Sequence, residues 1–298
     1  MIVKEKPFRV LVISSLKSIR SVRNRLKLEE NIIIDSSRFA NISAVLSEKG
    51  AEIYSKKKSI RQYDFAWFQS ASMTKDVAYM LSLYFDSIGV PHTSPEIGIT
   101  KLVDLFMLAA KNTAIPKTYF CSRSRLAVEL SDIVEKLKFP FLLKSTIGLG
   151  GNDVHLIEDA KDFFELVSTL PETKKYICQE FIPNHFDYRI LVGNGVVLSA
   201  EKRIRQKDTY RNNVAQGAIE EFLDVKYVPE EVKALAVKSA DICQLQWAGV
   251  DVVTSDTTGK HYVLEVNRRP GVTKGSTEVQ AVMTFLKNLK KNYGKQCT

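Results

Sequence analysis

The stretch that decides the fold is Ala248-Gly-Val-Asp251-Val-Val, followed after the turn Ser255-Asp-Thr-Thr-Gly259 by Tyr262-Val-Leu-Glu265-Val-Asn267-Arg-Arg-Pro-Gly271. Two runs rich in valine, separated by a polar turn that ends in glycine, read as antiparallel strands. Pairing Ser255 with His261 sets Asp251 directly opposite Glu265, with Cβ atoms roughly 4.5–5.5 Å apart. Asn267 lies two residues further on and so shares their face. The expectation is two carboxylates and an amide converging with no buried cation to pair them. Hard oxygen donors of this kind suit magnesium, or manganese, with water and substrate phosphates completing the shell. An acidic hairpin facing water is the plain alternative.

Three stretches upstream carry further polar chemistry. Asp187-Tyr-Arg189-Ile-Leu-Val-Gly-Asn194-Gly195-Val-Val-Leu-Ser-Ala-Glu-Lys202-Arg203 is a hairpin centred on Asn-Gly. Arg189, Lys202 and Arg203 sit toward its open end, where they could meet a polyphosphate, and are the candidate catalytic cations. A solvated hairpin edge would look the same. Tyr176-Ile-Cys-Gln179-Glu180-Phe181-Ile182-Pro183 reads as a strand whose end can offer backbone groups to an adenine edge and aliphatic cover to the ring. An ordinary strand fits it equally. Phe139-Pro-Phe-Leu-Leu-Lys144-Ser-Thr-Ile-Gly148-Leu-Gly150-Gly151-Asn-Asp-Val154 delivers a lysine from a strand into a glycine-rich loop. Backbone N–H groups of such a loop can close on phosphate oxygens while the lysine adds a point charge. The P-loop ending G-K-[ST] is absent, and a β-turn beside a surface lysine reads the same way.

Residues 100–111 form an amphipathic helix with Leu102, Leu105, Phe106 and Ala109 on one face. Thr100 is placed to cap it, which puts Lys101 in its first turn. Before it, apolar runs at 8–15, 31–35, 51–54 and 64–68 read as strands. A helix over 43–49 ends at Gly50, and another runs through Asp86. This alternation describes a small α/β domain without the G-x-G-x-x-G dinucleotide signature. A last helix is expected near 278–291.

The chain has 298 residues, 45% hydrophobic and 26% charged, which suits about two globular domains and excludes a disordered chain. The longest nearly apolar run covers only 77–85, against the ~20 residues of a membrane span. Lys4, Glu5, Lys6 and Arg9 interrupt any secretion signal, so a cytoplasmic location is expected. Cys121, Cys178, Cys243 and Cys297 are too scattered for a zinc ribbon. The net charge is +9, and residues 1–63 hold 14 Lys/Arg against 6 Asp/Glu, a surplus of eight. Lys17, Arg20, Arg23, Arg25 and Lys27 form one group, and Lys56, Lys57, Lys58 and Arg61 another. Such a face attracts an acidic partner, or serves only solubility. Nucleic acid is disfavoured, because no RNP1 motif or zinc-finger spacing accompanies the charge.

Taken in order, Lys101, Lys144 with its glycine loop, Gln179-Glu180-Phe181-Ile182, Asp187, Arg189, Arg211-Asn212-Asn213, Asp251 and Glu265-x-Asn267 resemble the ATP-grasp ligases, most nearly their RimK-like branch. The resemblance implies an α/β (α+β) architecture. A basic N-terminal α/β domain over 1–98 would precede an ATP-grasp fold of two subdomains, a central or lid part over 99–183 and a C-terminal part over 184–298 with the metal site. It implies that Lys101 and Lys144 touch ATP phosphates, and it counts Gln179 among the ATP-binding residues. Glu180, Phe181 and Ile182 would line the adenine pocket, and Asp187 would lie near the ribose. Arg211, Asn212 and Asn213 would sit by the triphosphate, and Asp251, Glu265 and Asn267 would hold the metal. The implied activity is an ADP-forming carboxylate–amine ligase working through an acylphosphate on an amino acid or a peptide or protein tail. A peptide macrocyclase of the same fold and a non-catalytic nucleotide or nucleic-acid binder are the rivals, and a homo-oligomer is common among such enzymes. The family often has small residues where this chain has Arg268-Arg269, and those cations either favour, with the basic N-terminus, an acidic substrate or only grip phosphate. None of His92, His155, His185 and His261 falls at a motif position.

Overall fold

A computed structural model describes residues 6–13, 19–69, 74–93, 100–147, 153–206 and 217–294. The chain opens with β1 (Phe8–Ile13), α1 (Ile19–Glu30) and β2 (Ile32–Ser37). Next come β3 (Ile42–Ser47), β4 (Gly50–Ser55) and β5 (Lys58–Ser59), then β6 (Phe65–Phe68) and α2 (Lys75–Ser87). The parallel sheet β2-β1-β6 is the expected α/β core. Its strands β1 and β6 are mostly apolar on both faces because both faces are covered, while β2 turns polar at Asp35-Ser-Ser37. Val10 and Val12 point one way, Leu11 and Ile13 the other, into separate clusters.

The helix expected over 43–49 is instead β3, paired antiparallel to β4 from Ile42↔Ser55 to Ser47↔Gly50. Ala, Leu, Glu and Lys favour a helix locally, but the ladder to β4 outweighs that preference. Gly50, read as a helix stop, has φ +111° and opens the return strand. The next turn, Lys56-Lys57, joins β4 to β5 with φ of 50° and 65°. Two successive left-handed residues make a type I′ turn, normally given to Asn-Gly. With side chains the conformation costs roughly 1–2 kcal/mol per residue. The β11–β12 hairpin described below makes the same turn with Asn194-Gly195, as its sequence predicts.

Helix α3 (Lys101–Ala110) follows. Its buried line is Asp104, Leu105 and Leu108, while Phe106 and Ala109 face outward, contrary to the expected face. Thr100 precedes the helix without a side-chain cap bond. Then β7 (Thr118–Tyr119), α4 (Leu130–Leu137), β8 (Phe141–Ser145), β9 (Val154–Ile157), α5 (Ala160–Thr169) and β10 (Tyr176–Glu180) build the sheet β7-β10-β8-β9. It encloses a core of its own around Phe141, Leu143, Phe163 and Cys178.

The rest is a five-stranded antiparallel sheet in the order β13-β12-β11-β14-β15. Its elements are β11 (Phe186–Gly193), β12 (Val196–Ile204), β13 (Ile219–Leu223), α6 (Glu230–Ile242), β14 (Trp247–Thr254), β15 (His261–Asn267) and α7 (Thr277–Tyr293). One face packs on α6, with Ile190, Val192, Ala200, Val250, Val252 and Val263 inside and Leu108 of α3 added. At one end of the other face, α7 is shared with the N-terminal sheet. Trp67, Trp247 and Phe285 meet there with ring centroids 5.0–5.3 Å apart. Each such aromatic pair adds about 0.5–1.5 kcal/mol beyond its buried area. Among the described residues, no helix is long and apolar enough to cross a membrane.

Candidate active site

The free end of that second face carries the polar chemistry. Cross-strand partners share a face, and the register pairs Asp187 with Arg203, Arg189 with both Glu201 and Asp251, Asp251 with Glu265 and Gly249 with Asn267. One register detail makes this possible. The turn pairs Thr254, not Ser255, with His261, and the ladder then shifts between Asp251 and Val252. Leu264 is the extra residue of this β-bulge. An unbroken ladder from Thr254↔His261 would set Glu265 against Val250 on the apolar face. The bulge returns Glu265 to the polar face.

The carboxylates are not free of cations, which corrects the sequence expectation. Arg203, buried on β12, donates to both oxygens of Asp187 at 2.7 and 2.9 Å. It also lies 3.1 Å from Oδ2 of Asp251. Burial works against the guanidinium's charge, and Asp251 and Asp187 more than offset it, holding its pKa above the ordinary value. Asp187, expected beside a ribose, is thus buried against Arg203. Oδ1 of Asp251 is buried without a hydrogen-bond donor, with Arg189 at 3.8 Å. Asn267 Nδ2 approaches Oδ2 at 3.4 Å, and Lys101 Nζ is 3.5 Å from Glu265.

The second wall comes from the sheet β7-β10-β8-β9. Lys144 on β8 donates to Gln179 on β10 at 2.6 Å, and Gln179 in turn reaches Thr118 on β7 at 3.0 Å. The backbone N–H of Lys101 reaches Thr146 O at 3.3 Å, so the start of α3 abuts the end of β8. Burial, then the neighbouring Lys101, pushes Lys144 down to about 8, and Glu265 acts in the opposite sense. Lys101 and Lys144, far apart in sequence, therefore share one electrostatic field with Glu265. Glu180 turns its carboxylate to the backbone N–H of Lys117 at 3.1 Å. Phe181 is partly buried and Ile182 buried. Arg211, Asn212, Asn213 and the loop 148–152 lie outside the described residues.

Lys202 does not join its neighbour Arg203. It points from the opposite face and stacks on Phe186, 4.2 Å from the ring centroid, a consequence of strand alternation. Arg268 turns away as well. Its guanidinium holds Asp104 on α3 at 2.7 and 2.8 Å, both side chains nearly buried. It is therefore not an open cation beside the carboxylates.

Two carboxyl groups escaped the sequence reading. Glu201 is 3% exposed, and its Oε1 has no hydrogen-bond partner. Burial pushes it up to about 7 against the pull of Arg203 and Arg189. Its place two residues before Arg203 was the available signal. Glu278, at the start of α7, is buried and raised by burial while accepting from Thr273 N at 2.7 Å.

The donor set can be weighed for a metal. Among the described residues no group of three His, Cys, Asp or Glu side chains converges. What converges is two carboxylates and an amide. All are hard oxygen donors, and one carboxylate oxygen is buried and unpartnered. That set fits magnesium, which takes one or two carboxylates and fills its octahedron from phosphates and water. Lys101, Lys144, Arg189 and Arg203 roughly balance Asp187, Asp251, Glu265 and Glu201. A triphosphate alone would overload the site with negative charge.

Residues 100–286 match the family described as the RimK-like ATP-grasp domain. A protein named probable alpha-L-glutamate ligase from Maridesulfovibrio salexigens is 30% identical over 217 residues, 70% of each chain. Its namesake from Aliivibrio fischeri is 31% identical over 248 residues, 80% of this chain and 79% of that one. Among solved structures, the ATP-grasp ligase PsnB with a phosphomimetic variant of its minimal precursor, Mg and ADP superposes with TM-score 0.68 at 17% identity, covering 94% of this chain and 99% of that chain. D-alanine–D-alanine ligase from Bacillus anthracis complexed with ATP gives 0.64 at 18% identity, over 97% and 98%. The two structures attest the fold.

Proposed function

The chain belongs to the RimK-like ATP-grasp family of ATP-dependent ligases that form carbon–nitrogen bonds, and from that premise we propose that it joins a carboxylate to an amine through an acylphosphate, with an amino acid or a peptide tail as substrate. The observation that carries this reading is the meeting of Lys101, Lys144, Asp251, Glu265 and Asn267 from two facing walls. The names of the relatives support glutamate as one of the two substrates.

Lys101 and Lys144 neutralise phosphate oxygens from two sides. Phe181 and Ile182 cover the adenine, and backbone groups at the end of β10 meet its edge. Asp251, Glu265 and Asn267 hold magnesium or manganese, which supplies charge neutralisation at the transferring phosphoryl group. The substrate carboxylate takes the γ-phosphoryl group and ADP is released. The amine nitrogen then attacks the carbonyl carbon, the bond from that carbon to the phosphate oxygen breaks, and phosphate leaves with the proton the amine gives up as the amide forms. Arg189, on the polar face and partly exposed, is placed to stabilise the developing oxyanion. Arg203 acts through Asp251 by fixing its orientation. No side-chain nucleophile is needed.

The test is ADP release with glutamate and a panel of short peptides, followed by mass spectrometry of the product. A product heavier by one glutamate residue supports the reading. Loss of water from a single peptide would identify a macrocyclase. ATP binding without ADP under any pairing would reject ligation.

A further inference from the structure

The N-terminal domain contains a cavity of about 210 Å³ lined by Leu11, Arg23, Asp35, Ser36, Ser55, Lys56, Lys58 and Tyr63. It lies on the Leu11 side of the sheet β2-β1-β6, while Val10 and Val12 on the other side pack toward α7. It is therefore separate from the polar face of the five-stranded sheet.

Its floor is fixed in place. Asp35 receives Arg23 at 3.2 Å, Arg9 at 3.4 Å and the Tyr63 hydroxyl at 3.1 Å. The rim is cationic. Lys56 is anchored to Ser36 O at 2.9 Å, and Ser55 bonds Ser37 at 2.7 Å, which fastens β4 to β2. Among the lining residues, Arg23, Lys56 and Lys58 against Asp35 leave a surplus of two positive charges.

The backbone adds an independent observation. Lys56-Lys57 forms a left-handed turn that this chain makes elsewhere with Asn194-Gly195. Strained residues persist where the surroundings over-determine them, and they cluster at ligand clamps. The turn sets Lys56 and Lys58, on either side of Lys57, into the lining of the cavity. Asn-Gly would relieve the backbone and lose the charge.

We propose that this cavity is a carboxylate-binding site that seats an acidic side chain of a peptide substrate, remote from the nucleotide. The assignment of the occupant as substrate rests on the ligase reading, but the site itself does not. Its volume is below the ~300 Å³ at which drug-sized ligand pockets begin, which suits one side chain rather than a nucleotide. Tyr63, the aromatic residue in the lining, is 5% exposed and holds Asp35, so it offers no stacking platform for a nucleic-acid base.

The experiment is fluorescence anisotropy with labelled hexaglutamate on the full chain. It compares the wild type with Lys56→Glu/Lys58→Glu and with the conservative Lys56→Arg/Lys58→Arg, at low and high salt. At least tenfold weaker binding in the glutamate variant supports the site, given near wild-type binding in the arginine variant and an unchanged Kd for a fluorescent ATP analogue in both. Equal hexaglutamate affinity in all three proteins overturns it. If inorganic phosphate or a single-stranded oligonucleotide binds with this lysine dependence while hexaglutamate does not, the carboxylate assignment is wrong. ADP release with free glutamate and unanchored peptides reports on ligation separately, so failure of either reading leaves the other testable.

Discussion

Arg203 lies 3.1 Å from Oδ2 of Asp251, while Oδ1 of the same carboxylate is buried with no donor. One oxygen is held closely by Arg203, and the other has only the more distant Arg189 guanidinium at 3.8 Å. This divides the polar face into groups that build the site and groups that await a ligand. The division predicts which substitutions damage the fold and which damage only turnover.

Arg203→Ala leaves Asp187 and Asp251 buried without their cation. Removing one partner of a buried pair costs about 3–5 kcal/mol. Urea unfolding should show that loss together with an absence of ADP formation. A variant with wild-type stability would show that the pair is not structural.

Glu265→Ala, on the exposed side of the division, should leave the urea midpoint nearly unchanged. Its ADP formation should fall by roughly 10²–10³, the usual scale for losing one electrostatic stabiliser of the transition state. The magnesium concentration needed for half activity should rise. Wild-type turnover in this variant would remove Glu265 from the site.

Lys144 sits near pH 8 because burial and then Lys101 disfavour its charge. Raising pH through 8 removes the proton that attracts phosphate. The apparent KM for ATP should therefore be flat below about pH 7.5 and rise above 8, by up to tenfold per pH unit. Lys144→Met should bind ATP at least tenfold more weakly at pH 7 and lose this pH dependence. A KM that is flat to pH 9.5 in the wild type would contradict the assignment.

Glu201 is raised from 4.5 to about 7. The native state thus keeps a proton that the unfolded chain has released, and stability is lost as pH rises from 4.5 through 7. At 1.36 kcal/mol per unit the shift is worth up to about 3 kcal/mol. Glu201→Gln cannot ionise, so it should match the wild type at pH 4.5 and exceed its stability at pH 8. A constant difference between the two proteins across that range would show that folding does not raise the Glu201 pKa.

The facing of Asp251 and Glu265 was read from a plain hairpin pairing, and the structure has the same pair. It was reached by compensating errors, since the turn begins one residue earlier than expected and Leu264 bulges out. Nothing in local sequence marks that bulge. Lys202 and Arg203 were read as equivalent cations, and only strand parity, fixed by the observed register, separates them. The Asp104–Arg268 pair joins residues 164 positions apart, and no local pattern foretells it. It also explains why the buried face of α3 was misread: its line runs through an aspartate, which a search for apolar spacing passes over. The strand β3 was missed because its helical propensity is local while its partner β4 is not.

The two walls of the nucleotide site do not share a core. Lys144 and Gln179 ride on the sheet enclosed around Phe141, Leu143 and Cys178. Asp251 and Glu265 ride on the sheet that is locked, through Trp247 and Phe285, to the N-terminal domain. The molecule is thus one large anvil and one small hammer, joined at 111–117 and 181–185. A nucleotide bound as proposed would span both walls, so part of its affinity would be the work of drawing them together. Discharging ADP would then mean separating them. Turnover can then be governed by the stiffness of two short connectors, one of which, at 181–185, also carries Phe181 and Ile182 of the proposed adenine pocket.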